Sequence, residues 1–243
     1  MNERERRRRP SLLGLEDDER DLFGLAAHKL NTPIACLRGF VTTLLQRGEQ
    51  LDPETVKQFH TVMLQQVDRL QGMVHNFLAL ARVQGGVEAL SQPVRPRDIL
   101  VELLDDVGPE GGRVRGAGDL DVKIATDGEL LRSALRPLVE NALTYGPRRK
   151  PVTVTVTIGG DRQRWDVRDE GSRLSQDELE QLFRPFTRAN PAVERRGAGA
   201  GLGLTLARAY AEALHGQVGA KVDEQGTVFW LDLPAMAGEE MAS

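Results

Sequence analysis

Between residues 18 and 47, apolar side chains recur at Leu22, Leu25, Leu30, Ile34, Leu37, Val41, Leu44 and Leu45. This helical spacing gathers them on one face. Gly48 is a stop signal. Asp52-Pro53-Glu54 then reads as a second start, with Asp52 as N-cap and Pro53 at the first helical position. From there the apolar residues fall into two heptad seams. Val56, Met63, Leu70 and Phe77 form one; Phe59, Gln66, Met73 and Leu80 form the other, with Gln66 its only polar member. Two long amphipathic helices joined by a short turn make a hairpin. One hairpin cannot cover both of its apolar faces, whereas two can pair into a four-helix bundle. The pattern therefore predicts a homodimer through residues 21–84.

The second half changes character. Gly85-Gly86 and the stretch from Pro93 to Pro96 mark a linker, taken as residues 85–94. Helical patterns follow at about 97–106 and 127–146. PVTVTVTIGG (Pro151 to Gly160) alternates with period two and reads as a strand, with RWDVRD (Arg164 to Asp169) as its neighbour. Another helix fits Gln176 to Phe183, and GQVGAKV and GTVFWLDLP close the chain as two strands. This order suggests a mixed sheet with helices on one face. The fold class is thus α+β: a hairpin forming a dimeric four-helix bundle, followed by an α/β sandwich domain over residues 95–236. A charged segment (1–20) precedes the hairpin and a short tail (237–243) follows the sandwich.

Composition narrows the function classes. The 243 residues allow one large domain or two ordinary ones, and 40% hydrophobic content is enough for a real core. A net charge of -4 gives no global case for nucleic-acid binding. A lone cysteine, Cys36, excludes an intrachain disulfide and a Cys-based zinc cluster. No apolar run approaches a membrane span, and the start MNERERRRRP has no apolar signal core, so the expectation is a soluble chain. The Arg6–Arg9 run reads as a solvated tail, with contact to an anionic lipid surface as the alternative.

The run Gly197-Ala-Gly-Ala-Gly-Leu-Gly-Leu204 opens a helical stretch, TLARAYAEALHG. Glycines at 197, 199, 201 and 203 let bare backbone N–H groups approach a polyphosphate, and the helix that follows points its N-terminus at the charge. No Lys follows them, which excludes a P-loop. The polar segment before them (RANPAVERR) and the leucines at 202, 204 and 206 exclude a dinucleotide fingerprint. Taken alone, the glycines fit a surface loop capping a helix equally well. Upstream lie Asn141, the Asp-x-Gly of Asp169 and Gly171, and the His-x-x-x-Thr-Pro of His28 to Pro33. Asn offers a neutral oxygen to Mg²⁺, which takes few protein ligands. A buried Asp169 would select a base by a hydrogen bond that the wrong base cannot make; as a turn residue it would be unremarked. His28 and Thr32 share a helix face, and Pro33 leaves the carbonyl of Lys29 without its helical donor, which favours a bend beside the histidine. His60, His75 and His215 have no such neighbours and read as structural.

This pattern resembles the cytoplasmic core of bacterial sensor histidine kinases over nearly the whole chain, from about residue 20 to 234. FGLAAHKLNTPIACLRGF resembles the H-box, LRPLVENALTYGP the N-box, WDVRDEG the G1 box, LFRPFTRA the F-box with Phe183, Phe186 and Arg188, and GAGAGLGL the G2 box. The resemblance implies a dimerisation and phosphotransfer hairpin followed by a Bergerat-type ATP-binding domain. It makes His28 the phosphoacceptor and gives Thr32 the alignment of a water that dephosphorylates the partner. Asn141 takes the Mg²⁺-ligand position, and Asp169 the position that accepts the adenine amino hydrogen. Tyr145, Gly171, Arg188, Gly197, Gly199, Gly201, Leu202, Gly203 and Leu204 complete the ATP site. The implied cofactors are ATP and Mg²⁺, and the location cytoplasmic. The implied partners are a second copy and a response-regulator receiver domain, with another histidine kinase or a separate sensor protein left open and no nucleic acid.

Four positions depart from the family pattern. Lys29 stands where Glu or Asp usually follows the histidine; an ammonium cannot accept the other ring proton. Pro137 replaces a polar residue one turn before Asn141, Thr144 replaces a lysine, and Arg173 replaces the second G1 glycine. Missing the base costs on the order of 10²–10⁴ in rate. Arg173 could supply the cation that Thr144 lacks. The expected function is ATP-dependent autophosphorylation of His28 and transfer to a regulator aspartate, that is, a protein-histidine kinase. The alternative is a degenerate kinase that docks partners under nucleotide control or acts as a phosphatase through Thr32.

Overall fold

The computed structural model describes residues 17–171, 175–187, 201–234 and 236–237. The chain divides into two compact units, Met1–Leu70 and Gln71–Ser243. No helix among the described residues is long and apolar enough to cross a membrane.

In the first unit, α1 (Asp17–Arg47) runs through Pro33 as one helix. A single 3-10 turn (Gly48–Gln50) follows, and α2 (Pro53–Gln84) starts in this unit and ends in the other. Asp52 caps α2: its carboxylate accepts the Thr55 N–H at 2.9 Å and the Thr55 hydroxyl at 2.6 Å. Those bonds satisfy an orphan donor of the first turn and hold the Asp52 carboxyl below its ordinary range. Phe40 and Phe59 meet with ring centroids 4.8 Å apart and tilted by 59°, an arrangement that aromatic rings favour. Ile34, Val41 and Leu45 on α1 and Leu64 and Val67 on α2 are left exposed, Leu45 by 83%.

In the second unit, α3 (Pro96–Asp106), α4 (Gly128–Tyr145) and α6 (Gly203–Ala213) pack on one face of a five-stranded sheet. Its strands are β2 (Val114–Gly118), β4 (Val152–Gly159), β5 (Arg162–Asp169), β6 (Gln217–Asp223) and β7 (Gly226–Pro234), in the order β2-β4-β5-β7-β6. β2 pairs with β4 in parallel; the other pairs are antiparallel. Burial alternates strictly along β5, with Gln163, Trp165, Val167 and Asp169 inward. Trp165 and Val167 share a single core with Leu131, Leu135 and Leu138 of α4, all fully buried. On the outer face Arg168 reaches across β7 to Asp223, with both guanidinium contacts at 2.7 Å. A short α5 (Gln176–Gln181) begins with a capping box between Ser175 and Glu178.

The corrections concern four short strands. β1 (Gln92–Val94) lies inside the segment read as a linker and pairs with β3 (Ile124–Thr126), which pairs in turn with β8 (Met236–Ala237). β2 was not anticipated either. None of these strands has room for an alternating pattern, and VRGAG and QPV carry the Gly and Pro that argue against a strand; both residues are tolerated at sheet edges. The helix expected to reach Phe183 ends at Gln181. The carboxylate of Asp127, the N-cap of α4, accepts the Leu130 N–H at 2.9 Å and the Leu90 N–H at 2.8 Å, so the helix start also holds the incoming segment.

Candidate active site

The last two turns of α4 meet the C-terminal end of β5. Asn141 and Tyr145 stand one turn apart on α4, both half-buried. Asp169, the last residue of β5, is 1% exposed, and its Oδ1 accepts the Gly171 N–H at 2.8 Å. Glycines let the two ends approach. A Cβ on Gly146 would lie 3.0 Å from the Asp169 Cβ and 2.5 Å from the Ala142 carbonyl oxygen. One on Gly171 would lie 2.5 Å from the Pro147 ring. Lys150, just beyond the helix, pairs with Glu170, just beyond the strand. The structure thus brings Asn141, Tyr145, Asp169 and Gly171 to adjoining ends of two packed elements.

The start of α6 is held against the same helix. Gly201 has φ +76, open to glycine without strain. Its carbonyl accepts the Phe186 N–H at 2.7 Å, and a Cβ there would lie 2.8 Å from the Phe186 backbone. Leu202 and Leu204 are buried. Gly203 comes so near α4 that a Cβ would lie 3.3 Å from that of Pro137. Pro137 is itself buried, so its ring seats the first residue of α6 on α4 where the family pattern has a polar group. The Thr205 hydroxyl donates to the Phe183 carbonyl at 3.3 Å, and the Arg208 guanidinium lies 5.0 Å over the Phe183 ring. Arg173, Arg188, Gly197 and Gly199 lie outside the described residues.

On α1, His28 and Thr32 are both exposed, and the Thr32 hydroxyl donates to the His28 carbonyl at 3.4 Å. Lys29 is half-buried and Pro33 buried. The phosphoacceptor candidate therefore presents its ring to solvent, with an ammonium-bearing neighbour and no adjacent carboxylate in sequence.

Two family profiles match the chain in tandem. The His Kinase A (phospho-acceptor) domain covers residues 18–86, and the histidine kinase-, DNA gyrase B- and HSP90-like ATPase covers residues 126–237. The chain thus carries the paired domains of a histidine kinase cytoplasmic core. Sensor protein VanSB of Enterococcus faecalis is 26% identical over 226 residues, covering 90% of this chain and 50% of that protein. Histidine kinase ThkA, solved in complex with the response regulator protein TrrA, superposes with a TM-score of 0.69 at 20% identity, over 89% of this chain and 62% of that one. Full-length ShkA, solved with AMPPNP, gives 0.61 at 22% identity, over 88% and 46%. The chain spans about half the length of the curated relatives it matches.

The described part of the ATPase-like domain fits an adenine nucleotide. A buried carboxylate closes the strand end, glycine backbone lies bare beside it, and Tyr145 offers an aromatic face on the neighbouring helix. Among the described residues no group of three or more His, Cys, Asp or Glu is placed to hold a metal. Sequence reasoning missed Arg113, whose guanidinium touches both the end of α4 and the turn beyond it. Its partners there are backbone carbonyls, which leave no trace in a sequence.

Proposed function

We propose that the chain is the catalytic core of a two-component histidine kinase that binds ATP between the end of α4 and the start of α6 and phosphorylates His28. The observation that carries this reading is the closure of Gly146 and Pro147 onto Asp169 and Gly171, with Asn141 and Tyr145 on the adjoining helix. Asp169 accepts the adenine amino hydrogen, and Tyr145 covers the base. Asn141 holds Mg²⁺, which supplies charge neutralisation for the phosphates. Gly201 and Gly203 leave backbone free to approach the phosphates at the N-terminus of α6. An imidazole nitrogen of His28 forms a bond to the γ-phosphorus as the bond to the bridging oxygen of ADP breaks, and the ring proton passes to water. The phosphoryl group then passes to a receiver-domain aspartate, in keeping with ThkA having been solved with a response regulator. Thr32 aligns a water whose oxygen bonds to the phosphorus of the partner's phosphoaspartate as the acyl-phosphate P–O bond breaks, releasing inorganic phosphate.

The chain acts as a homodimer through residues 21–84. Exposed Ile34, Val41 and Leu45 on α1 and Leu64 and Val67 on α2 give the hairpin an apolar surface for a second copy.

Titration calorimetry with Mg²⁺ and either ATP or GTP tests the nucleotide reading. The expected result is ATP binding with GTP at least about 10-fold weaker, because guanine presents a carbonyl where adenine presents an amino group. Equal affinity for both would remove Asp169 from its role.

A further inference from the structure

We propose that Arg113 is a positioning residue for the nucleotide: it fixes the last turn of α4 and the turn beyond, and so the adenine side of the site. This rests on the ATP reading above. Arg113 ends the 3-10 segment before β2, and only 18% of its side chain is exposed. Nη1 donates to the Leu143 carbonyl at 3.1 Å and to the Glu110 carboxylate at 2.9 Å. Nη2 donates to the Pro147 carbonyl at 2.7 Å and the Lys150 carbonyl at 3.2 Å. One guanidinium thus ties together three backbone oxygens from residues 143 to 150.

The sequence creates the need for it. The last carbonyls of a helix lack intrahelical donors. Gly146 N–H satisfies the Ala142 carbonyl at 2.9 Å. The next donor in the ladder would be the N–H of residue 147, which is a proline and has none. The Leu143 carbonyl, two residues past Asn141 and two before Tyr145, takes its hydrogen from Arg113 instead. A cation at this helix end is also favoured by the helix dipole. The Pro147 whose carbonyl Arg113 holds is the residue whose ring lies against Gly171, beside Asp169. Loosening this node lets the turn leave Gly171 and the last turn of α4 fray, while the core beneath Leu131 and Leu135 is untouched. A planar fork can hold carbonyls on both sides; an ammonium cannot reproduce that geometry.

The test compares the full chain with Arg113→Gln, Arg113→Lys and Arg132→Gln. Arg132 lies on α4 itself but pairs with Glu102 and Asp106, so it controls for losing an ion-paired arginine. ATP–Mg²⁺ affinity and amide exchange over residues 143–150 are read for each. The expected result is about a 10-fold weaker Kd for Arg113→Gln, an intermediate value for Arg113→Lys, and an unchanged value for Arg132→Gln, with faster exchange at Thr144 to Gly146 only in the Arg113 variants. A wild-type Kd in folded Arg113→Gln, or equal weakening in Arg132→Gln, overturns the proposal. If Arg113→Gln does not fold, Arg113→Lys decides: wild-type Kd and exchange would overturn it. Should the wild-type chain bind no ATP, the nucleotide reading itself fails; exchange in the free protein still judges the Arg113 node, and unchanged exchange sinks it.

Discussion

Leu45 and Leu64 of the helical unit are 83% and 62% exposed, whereas Leu131, Leu135, Leu138 and Trp165 of the sheet unit have no exposed surface. The chemistry follows the same division. His28 and Thr32 stand exposed on a helix face, while Asp169 is buried at a strand end and closed in by glycine contacts. The role proposed for His28 requires that it be reached first by a nucleotide and then by a partner, which suits an open surface. A nucleotide must be gripped and told from its analogues, which a half-open helix face cannot do and a low-dielectric recess can. The exposed apolar face of the hairpin is thus left for another surface to cover, while the nucleotide-site residues of the sheet unit rest on a closed core.

The sharpest way to break this contrast is inside the sheet unit. Asp169→Ala removes the carboxylate proposed to read the base and is expected to weaken ATP binding about 100-fold. Calorimetry reads the loss, and self-association of the chain should not change. An equal effect on self-association would show that the two units do not divide the work. Lys29→Glu addresses the open unit. It supplies the missing acceptor beside His28 and should raise the rate of His28 labelling about 10-fold or more, at constant ATP affinity. No gain would mean that Lys29 does not limit the reaction.

Leu45→Glu attacks the unfinished face directly. Burying a carboxylate in an apolar contact is costly, so sedimentation should show about a 10-fold weaker dimer, with ATP affinity unchanged. A dimer as strong as before would place the interface elsewhere.

The smallest effect lies on the outer face of the sheet. The Arg168 guanidinium first, then the Gln225 backbone N–H, hold the Asp223 carboxyl well below the usual carboxylate range. A carboxyl depressed in the folded state stabilises it above the unfolded value of about 4, and that contribution disappears as pH falls through the folded value. Because the pair is solvent-exposed the gain is small. Asp223→Asn should melt slightly lower than wild type at pH 7, with the gap narrowing below about pH 4. A gap that stays constant to pH 2 would separate the depressed carboxyl from stability.

How much of this was legible in the sequence depended on range. α1 and α2 declare themselves because a 3.6- or 3.5-residue repeat persists over eight turns, and Asp52-Pro53 marks a start by local chemistry that the structure repeats in the Asp52–Thr55 bonds. β4 and β5 alternate over eight residues each, and β7 carries a Val-Phe-Trp-Leu run rich in strand formers, so these were equally plain. β1, β2 and β3 were not, because three to five residues cannot show a period and each owes its existence to a distant neighbour: Val114 pairs with Val152, Gln92 with Thr126. In the site, Asn141, Asp169 and Gly171 stood out as a resemblance of motifs. That Gly146 must be bare because the Asp169 Cβ is beside it follows only from packing, as does the exchange of a polar group for Pro137 against Gly203. The Arg113 node was invisible for a further reason, since a proline's missing N–H acts on a carbonyl four residues earlier and the donor comes from thirty residues away.

This core, lysine and all, is expected to move a phosphoryl group onto His28. Incubating the purified chain with γ-labelled ATP and Mg²⁺ beside His28→Ala tests it most directly. The account expects acid-labile label on the wild-type chain and none on the variant. Tight ATP binding with no label on either chain would contradict it.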